Sequence, residues 1–230
     1  MPPPNNLILL HGALGSGEQC QAFANVLSSQ FRVHPITFSG HGGLPITQPY
    51  RLPQMTLDVL RYLDEQQIDQ PKVFGYSMGG YVAAYIALHH PDRFSHITTL
   101  GTKWDWTPET ADKETRMLNP DVIEEKVPQF ARMLEQRHRP EDWRKVLEYT
   151  ADFMYKLANG MALQQSDFEK ITTPMLILRG DQDNMVTEVE SKQVARWLPN
   201  GNFQTLPDTP HPIEKVDYGK LLDVVRSEVL

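Results

Sequence analysis

Lys72-Val73-Phe74-Gly75-Tyr76-Ser77-Met78-Gly79-Gly80-Tyr81-Val82 is the stretch whose reading decides the fold. Its centre is a G-x-S-x-G box. The apolar Val73-Phe74 reads as the end of a short strand, and the run 81–88 as a helix. A serine on a sharp strand-to-helix turn is pushed out of the sheet with its hydroxyl free. Small residues two before and two after it let neighbouring backbone approach. Serine is a poor nucleophile unaided, so the box implies chemistry only if a base, an acid and an oxyanion site lie elsewhere in the chain.

Around the box, short apolar runs alternate with helical patterns across residues 1–100. Leu7-Ile8-Leu9-Leu10 reads as a buried parallel strand, and helical spacing follows through Phe23, Val26 and Leu27. A second strand is expected over 32–38. A helix is expected over 55–63, on the spacing of Leu57, Leu60 and Leu63, and another over 78–89. A further strand is expected at 97–100. Residues 171–230 resume the alternation, with strands at 175–178 and 203–206 and helices over 188–197 and 218–229. Such alternation with short links predicts right-handed βαβ units and a parallel sheet.

Residues 101–170 break the pattern. They hold 25 of the chain's 51 Lys, Arg, Asp and Glu residues and look helical throughout. Asn119-Pro120 and Arg139-Pro140 read as helix starts, Pro128 as a split or kink, and Asn159-Gly160 as a stop. The reading is one α/β domain, 1–100 with 171–230, carrying an inserted helical cap at 101–170.

The chain has 230 residues and a formal charge of −7. That balance argues against nucleic-acid or anionic-membrane partners. The single Cys20 excludes an internal disulfide and a cysteine-based zinc site, and fits a reducing, cytoplasmic setting. Neither a signal peptide nor a membrane span is expected from the apolar runs. The histidines have no zincin-like spacing, so they suggest no metal site. Oligomeric state is not readable.

Partners for Ser77 are expected at the C-terminal ends of other strands. Two segments qualify: Gly180-Asp181-Gln182-Asp183 and Asp208-Thr209-Pro210-His211-Pro212. The chain order is Ser77, then an aspartate, then His211.

On these marks the chain resembles the α/β-hydrolase superfamily over nearly its whole length. The others are Leu9-Leu10-His11-Gly12-Ala13-Leu14-Gly15-Ser16 and Ser39-Gly40-His41-Gly42. The resemblance implies Ser77 as nucleophile, His211 as general base and Asp183 as orienting acid. It also implies an oxyanion hole from the N–H groups of Ala13 and Met78. Asp183 is favoured over Asp181 as the fourth residue of Gly-x-x-Asp, and Asp105 is an alternative position after an earlier strand. Pro210 replaces the glycine that usually precedes the family's histidine. His11 and His41 read as structural residues holding loops beside the site. Leu14, Trp104, Trp106 and Met185 are candidates for the substrate pocket, with core packing an equal reading for the two tryptophans. Only six residues precede Leu7, so a sheet of about six strands is expected, starting at the family's third. The activity that the resemblance implies is hydrolysis of a small-molecule substrate, a small to medium ester or thioester, through an acyl-enzyme, with neither metal nor cofactor expected. The alternatives are a carbon–carbon bond hydrolase, an enol-lactonase or a lyase on the same scaffold, or a non-catalytic ligand binder.

Overall fold

A computed structural model of the chain describes residues 5–46 and 51–229. Six parallel strands form one sheet: β1 (Asn5–Leu10), β2 (Phe31–Ile36), β3 (Lys72–Tyr76), β4 (His96–Leu100), β5 (Met175–Gly180) and β6 (Gly201–Leu206), in the order β2-β1-β3-β4-β5-β6. The apolar runs form strands because both faces of the sheet are covered. Along β1, Ile8 and Leu10 enter one core cluster while Leu7 and Leu9 enter the other. Met175 and Ile177 of β5 alternate with Leu176 and Leu178 in the same way. Register follows, with Leu10 opposite Gly75 across β1 and β3, and Tyr76 opposite Leu100 across β3 and β4.

Helices α1 (Gln21–Leu27), α2 (Leu52–Glu65) and α3 (Met78–His89) link the first four strands. Five more lie between β4 and β5: α4 (Pro108–Thr115), α5 (Pro120–Lys126), α6 (Pro128–His138), α7 (Trp143–Lys156) and α8 (Gln165–Phe168). After β5 come α9 (Glu188–Trp197) and α10 (Tyr218–Val229). One face of the sheet is covered by α2, α3 and α9, through residues such as Val59, Leu63, Val82, Ile86 and Val194. The other is covered by α1 and α10, through Phe23, Leu27, Leu221 and Val225. A third cluster ties α5, α6 and α7 together through Ile123, Leu134, Trp143 and Leu147, with Leu14 of the loop after β1 seated in it.

Three local expectations need correction. Leu57 is exposed, and the buried stripe of α2 runs through Met55, Thr56, Val59 and Leu63, so the helix is rotated from the sequence reading. The second strand ends at Ile36, before the expected position 38. Arg139-Pro140 starts no helix; α7 begins at Trp143 because the Asp142 carboxylate accepts the Arg144 N–H at 2.9 Å and caps it. Pro128 does divide its region, as first-turn residue of α6. The chain leaves helical geometry at Asn159-Gly160, where Gly160 has φ +98°.

Among the described residues no helix is long and apolar enough to cross a membrane. The strand order reverses between β1 and β3, so the loops leaving those two strands diverge and open a crevice at the sheet's C-terminal edge. One loop carries Ala13 and the other Ser77.

Candidate active site

Ser77 sits between β3 and α3 with φ +50° and ψ −116°, a conformation that costs about 1–3 kcal/mol in an L residue. The surroundings hold it there. Its N–H donates to the Leu100 carbonyl at 2.8 Å, and its carbonyl accepts from the Thr102 hydroxyl at 2.9 Å. Gly79 is required by space, since a Cβ there would lie 2.3 Å from the Leu10 carbonyl oxygen. The G-x-S-x-G spacing therefore reflects how tightly the turn packs on β1 and β4.

His211 and Asp183 lie on the loops after β6 and β5. His211 Nδ1 donates to Asp183 Oδ2 at 2.8 Å, and both side chains are largely buried. Asp183 Oδ1 accepts the N–H groups of Met185 and Val186 at 2.8 and 3.0 Å. Burial pushes the Asp183 carboxyl up, but the His211 bond and charge and these two N–H groups outweigh it and hold it below its usual value. Asp181 does other work: its Oδ1 accepts the Thr209 N–H at 3.1 Å, tying the two loops together. Asp105 is exposed, and its N–H donates to Glu190. Asp208 is an exposed turn residue at φ +55°, paired with Lys220.

Ser77 and His211 open onto one small apolar chamber, with about 50 Å³ of accessible space. Ala13 and Met78 line it with them. Met78 is the first residue of α3, where helical N–H groups have no intrahelical acceptor, and the Ala13 N–H has no partner among the described residues. Trp106 and Met185 line the chamber, as do Phe153, Met154 and Leu157 from the end of α7 and just beyond it. An outer groove shares Ala13, Ser77, Glu114, Met154, Met185 and His211 with the chamber, and Leu14 lines this groove.

Trp104 departs from its expected place. It is 4% exposed and packs between Tyr81 and Phe168, with ring centroids 5.7 and 5.6 Å away. It lines a separate cavity beside α9 and not the Ser77 chamber. The Glu190 carboxylate, bonded to the N–H groups of Trp104 and Asp105, fixes that segment.

The buried histidines beside the site hold loops. His11 Nδ1 donates to the Gly12 carbonyl at 2.7 Å and Nε2 accepts the Phe38 N–H at 3.2 Å. His138, the last residue of α6, donates from Nε2 to the Leu14 carbonyl at 3.2 Å and accepts the Gly42 N–H on Nδ1 at 3.1 Å. Arg137 donates to the same Leu14 carbonyl at 2.8 Å, so the end of α6 clamps the loop that carries Ala13. Sequence reasoning also missed Tyr76, Lys103 and Glu114. Tyr76 could have been found as a bulky residue inside the box; the other two carry no local signal.

Chemically, the arrangement fixes the His211 imidazole tautomer through Asp183, on a chamber that Ser77 also lines. The residues that carry the Ala13 and Met78 N–H groups border the same chamber.

A family model for the alpha/beta hydrolase fold matches residues 5–149. A pimeloyl-[acyl-carrier protein] methyl ester esterase of Edwardsiella ictaluri is 35% identical over 106 residues, which is 46% of this chain and 40% of that protein. A 3-oxoadipate enol-lactonase of Acinetobacter baylyi is 25% identical over 190 residues, 73% of this chain and 67% of that protein. Among solved structures, a thermophilic esterase from Thermogutta terrifontis superposes with a TM-score of 0.78 at 20% identity, covering 99% of this chain and 90% of that one. At that identity the likeness shows the fold alone. The first curated relatives are matched over about two fifths of their length.

Proposed function

The chain belongs to the alpha/beta hydrolase family, and on that premise we propose that it is a serine hydrolase of small to medium carboxylic esters or thioesters. The observation that carries the reading is the strained Ser77 turn opening on the same apolar chamber as the His211–Asp183 pair.

In this mechanism Ser77 Oγ attacks the acyl carbon as His211 Nε2 takes its proton. The carbonyl electron pair moves onto oxygen, which the N–H groups of Ala13 and Met78 receive. The pair returns, the bond to the leaving group breaks, and the leaving group takes the proton from His211. Water then repeats the sequence on the acyl-enzyme, giving the acid and free Ser77. The apolar chamber takes the acyl chain, and the open groove lets the leaving group depart.

The test is labelling with a fluorophosphonate together with turnover of 4-nitrophenyl butanoate. Wild type is expected to label at Ser77 and to release nitrophenol, and Ser77→Ala to do neither. Equal behaviour of the two proteins in both assays sinks the reading.

A second reading, an enol-lactonase on the same scaffold, is favoured by the Acinetobacter baylyi relative, whose alignment extends over more of this chain than the esterase's. It predicts weak turnover of nitrophenyl esters and efficient turnover of an unsaturated lactone by wild type but not by Ser77→Ala.

A further inference from the structure

The inner chamber holds a charged pair that the reaction does not use. Glu114, near the end of α4, and Lys103, just after β4, both line it. The Glu114 side chain is 2% exposed, and among the described residues neither carboxylate oxygen has a hydrogen-bond partner. Lys103 Nζ stands 3.8 Å away, an ion pair too long to be a hydrogen bond. Glu190, buried nearby, shows the contrast: it takes N–H groups from Trp104, Asp105 and Thr187 at 3.0, 2.9 and 2.6 Å. Glu190 holds backbone, whereas Glu114 holds none. Lys103 gives one N–H to the Met185 carbonyl at 3.1 Å, and an ammonium has three to give.

Both oxygens of a buried carboxylate left unpaired are costly, and such a group facing a ligand cavity is satisfied when the ligand binds. The ligand group must suit both neighbours. A carboxylate would accept from Lys103 but meet Glu114 with like charge. An ammonium would suit Glu114 but meet Lys103. A hydroxyl accepts from the one and donates to the other without adding charge. Burial raises the Glu114 carboxyl, opposed by the charges of Lys103, Lys113 and His211, which fits a group whose ionised form lacks hydrogen bonds until one is supplied.

We propose that Lys103 and Glu114 form a recognition site for a hydroxyl on the acyl part of the substrate. Its oxygen accepts from Lys103 Nζ and its proton goes to a Glu114 carboxylate oxygen. The proposal rests on the ester-hydrolase reading and adds the substrate class: hydroxylated acyl esters.

The experiment compares kcat/KM for 4-nitrophenyl esters of hexanoic, 3-hydroxyhexanoic, 6-hydroxyhexanoic, 6-aminohexanoic and adipic (half-ester) acids. Wild type should favour one of the hydroxylated chains over hexanoate by about tenfold or more, with both charged chains behind. The double variant Lys103→Met/Glu114→Leu removes both partners together, and the ratio should fall to about one. Equal rates for the hydroxylated and plain chains in wild type overturn the proposal, as does a ratio unchanged in the double variant. A preference for the adipate half-ester also overturns it, because Lys103 would then act alone. Binding of methyl 6-hydroxyhexanoate, methyl 3-hydroxyhexanoate and methyl hexanoate to Ser77→Ala, followed by ligand-observed NMR, reads the pair without turnover. Tighter binding of a hydroxylated ester there upholds the site even if no ester is cleaved and the hydrolase reading fails. Equal binding rejects the site even if that reading stands.

Discussion

Tyr76 donates a hydrogen bond from its hydroxyl to the His211 carbonyl oxygen at 3.1 Å. It therefore joins the turn of Ser77 to the loop of His211. The side chain is nearly buried, and burial pushes its phenol well above the ordinary value, so it remains a donor at any working pH.

Tyr76→Phe keeps the ring against His211 and removes only that bond. The His211 carbonyl loses its partner, at a cost of about 0.5–1.5 kcal/mol. The expected outcome is a fall in kcat/KM of about 2- to 10-fold with a small drop in Tm, because the His211 loop is held less firmly. Ester kinetics alongside thermal melts check it. An unchanged kcat/KM would mean that the bond serves stability alone.

Asp183→Asn leaves a near-isosteric side chain but removes the charge that faces His211 Nδ1. On the proposed mechanism the expected fall in kcat is about 10⁴-fold, as for loss of the orienting acid of a Ser-His-Asp triad. A second signature appears in stability. The Asp183 carboxyl is held below its usual value in the folded protein, so its contribution is fully present above the unfolded value of 3.8 and is lost as pH falls through the lower folded one. The variant should therefore show a shallower acid limb than wild type in denaturant titrations below pH 4.

Much of this site was legible because its residues are tied to backbone demands. Gly75, Ser77 and Gly79 stand where a strand must turn sharply into a helix, and the aspartate and histidine loops follow apolar strands that any burial argument finds. Asp183 over Asp181 rested on a pattern, and the physical difference, which carboxylate faces Nδ1 and which ties Thr209, exists only in three dimensions. The two readings of Trp104 stayed open for a similar reason: the Trp104-Asp105-Trp106 run sends one ring into the core and the other into the chamber, and composition cannot distinguish them. Lys103 and Glu114 were illegible because eleven positions and a helix separate them in a segment dense with charge, where burial of a single pair leaves no mark.

Gly101→Ala tests how closely the backbone approaches the Asp183–His211 pair. Gly101 has φ +61°, and a Cβ there would lie 3.2 Å from both Asp183 Oδ2 and His211 Nδ1. The left-handed backbone costs an alanine about 1–2 kcal/mol, and the methyl group adds pressure on the 2.8 Å bond. Activity should fall by about tenfold or more, beyond what the modest loss of Tm predicts. Activity that falls only in step with folded fraction would place the strain in the backbone and not in the pair.

His138→Gln tests the neutral histidines beside the Ala13 loop. Burial lowers the His138 pKa to about 4, opposed by its bond to Leu14 and aided by the Arg137 charge. His11 is likewise lowered to about 4, chiefly by burial. Each ring donates from one nitrogen and accepts on the other, an arrangement open only to neutral imidazole. Between pH 6.5 and about 4 the unfolded chain therefore binds protons that the folded chain refuses. Stability must fall as pH drops through that window and level off, for these groups, below it. Each such histidine contributes a slope of about 1.4 kcal/mol per pH unit within the window. Glutamine also supplies one donor and one acceptor but does not titrate, so His138→Gln should lower the slope of ΔG against pH by about one proton's worth. Urea unfolding at several pH values from 4.5 to 6.5 measures it. A slope equal to that of wild type would mean that His138 is protonated in the folded protein, and its bond to the Gly42 N–H would then have to be reassigned.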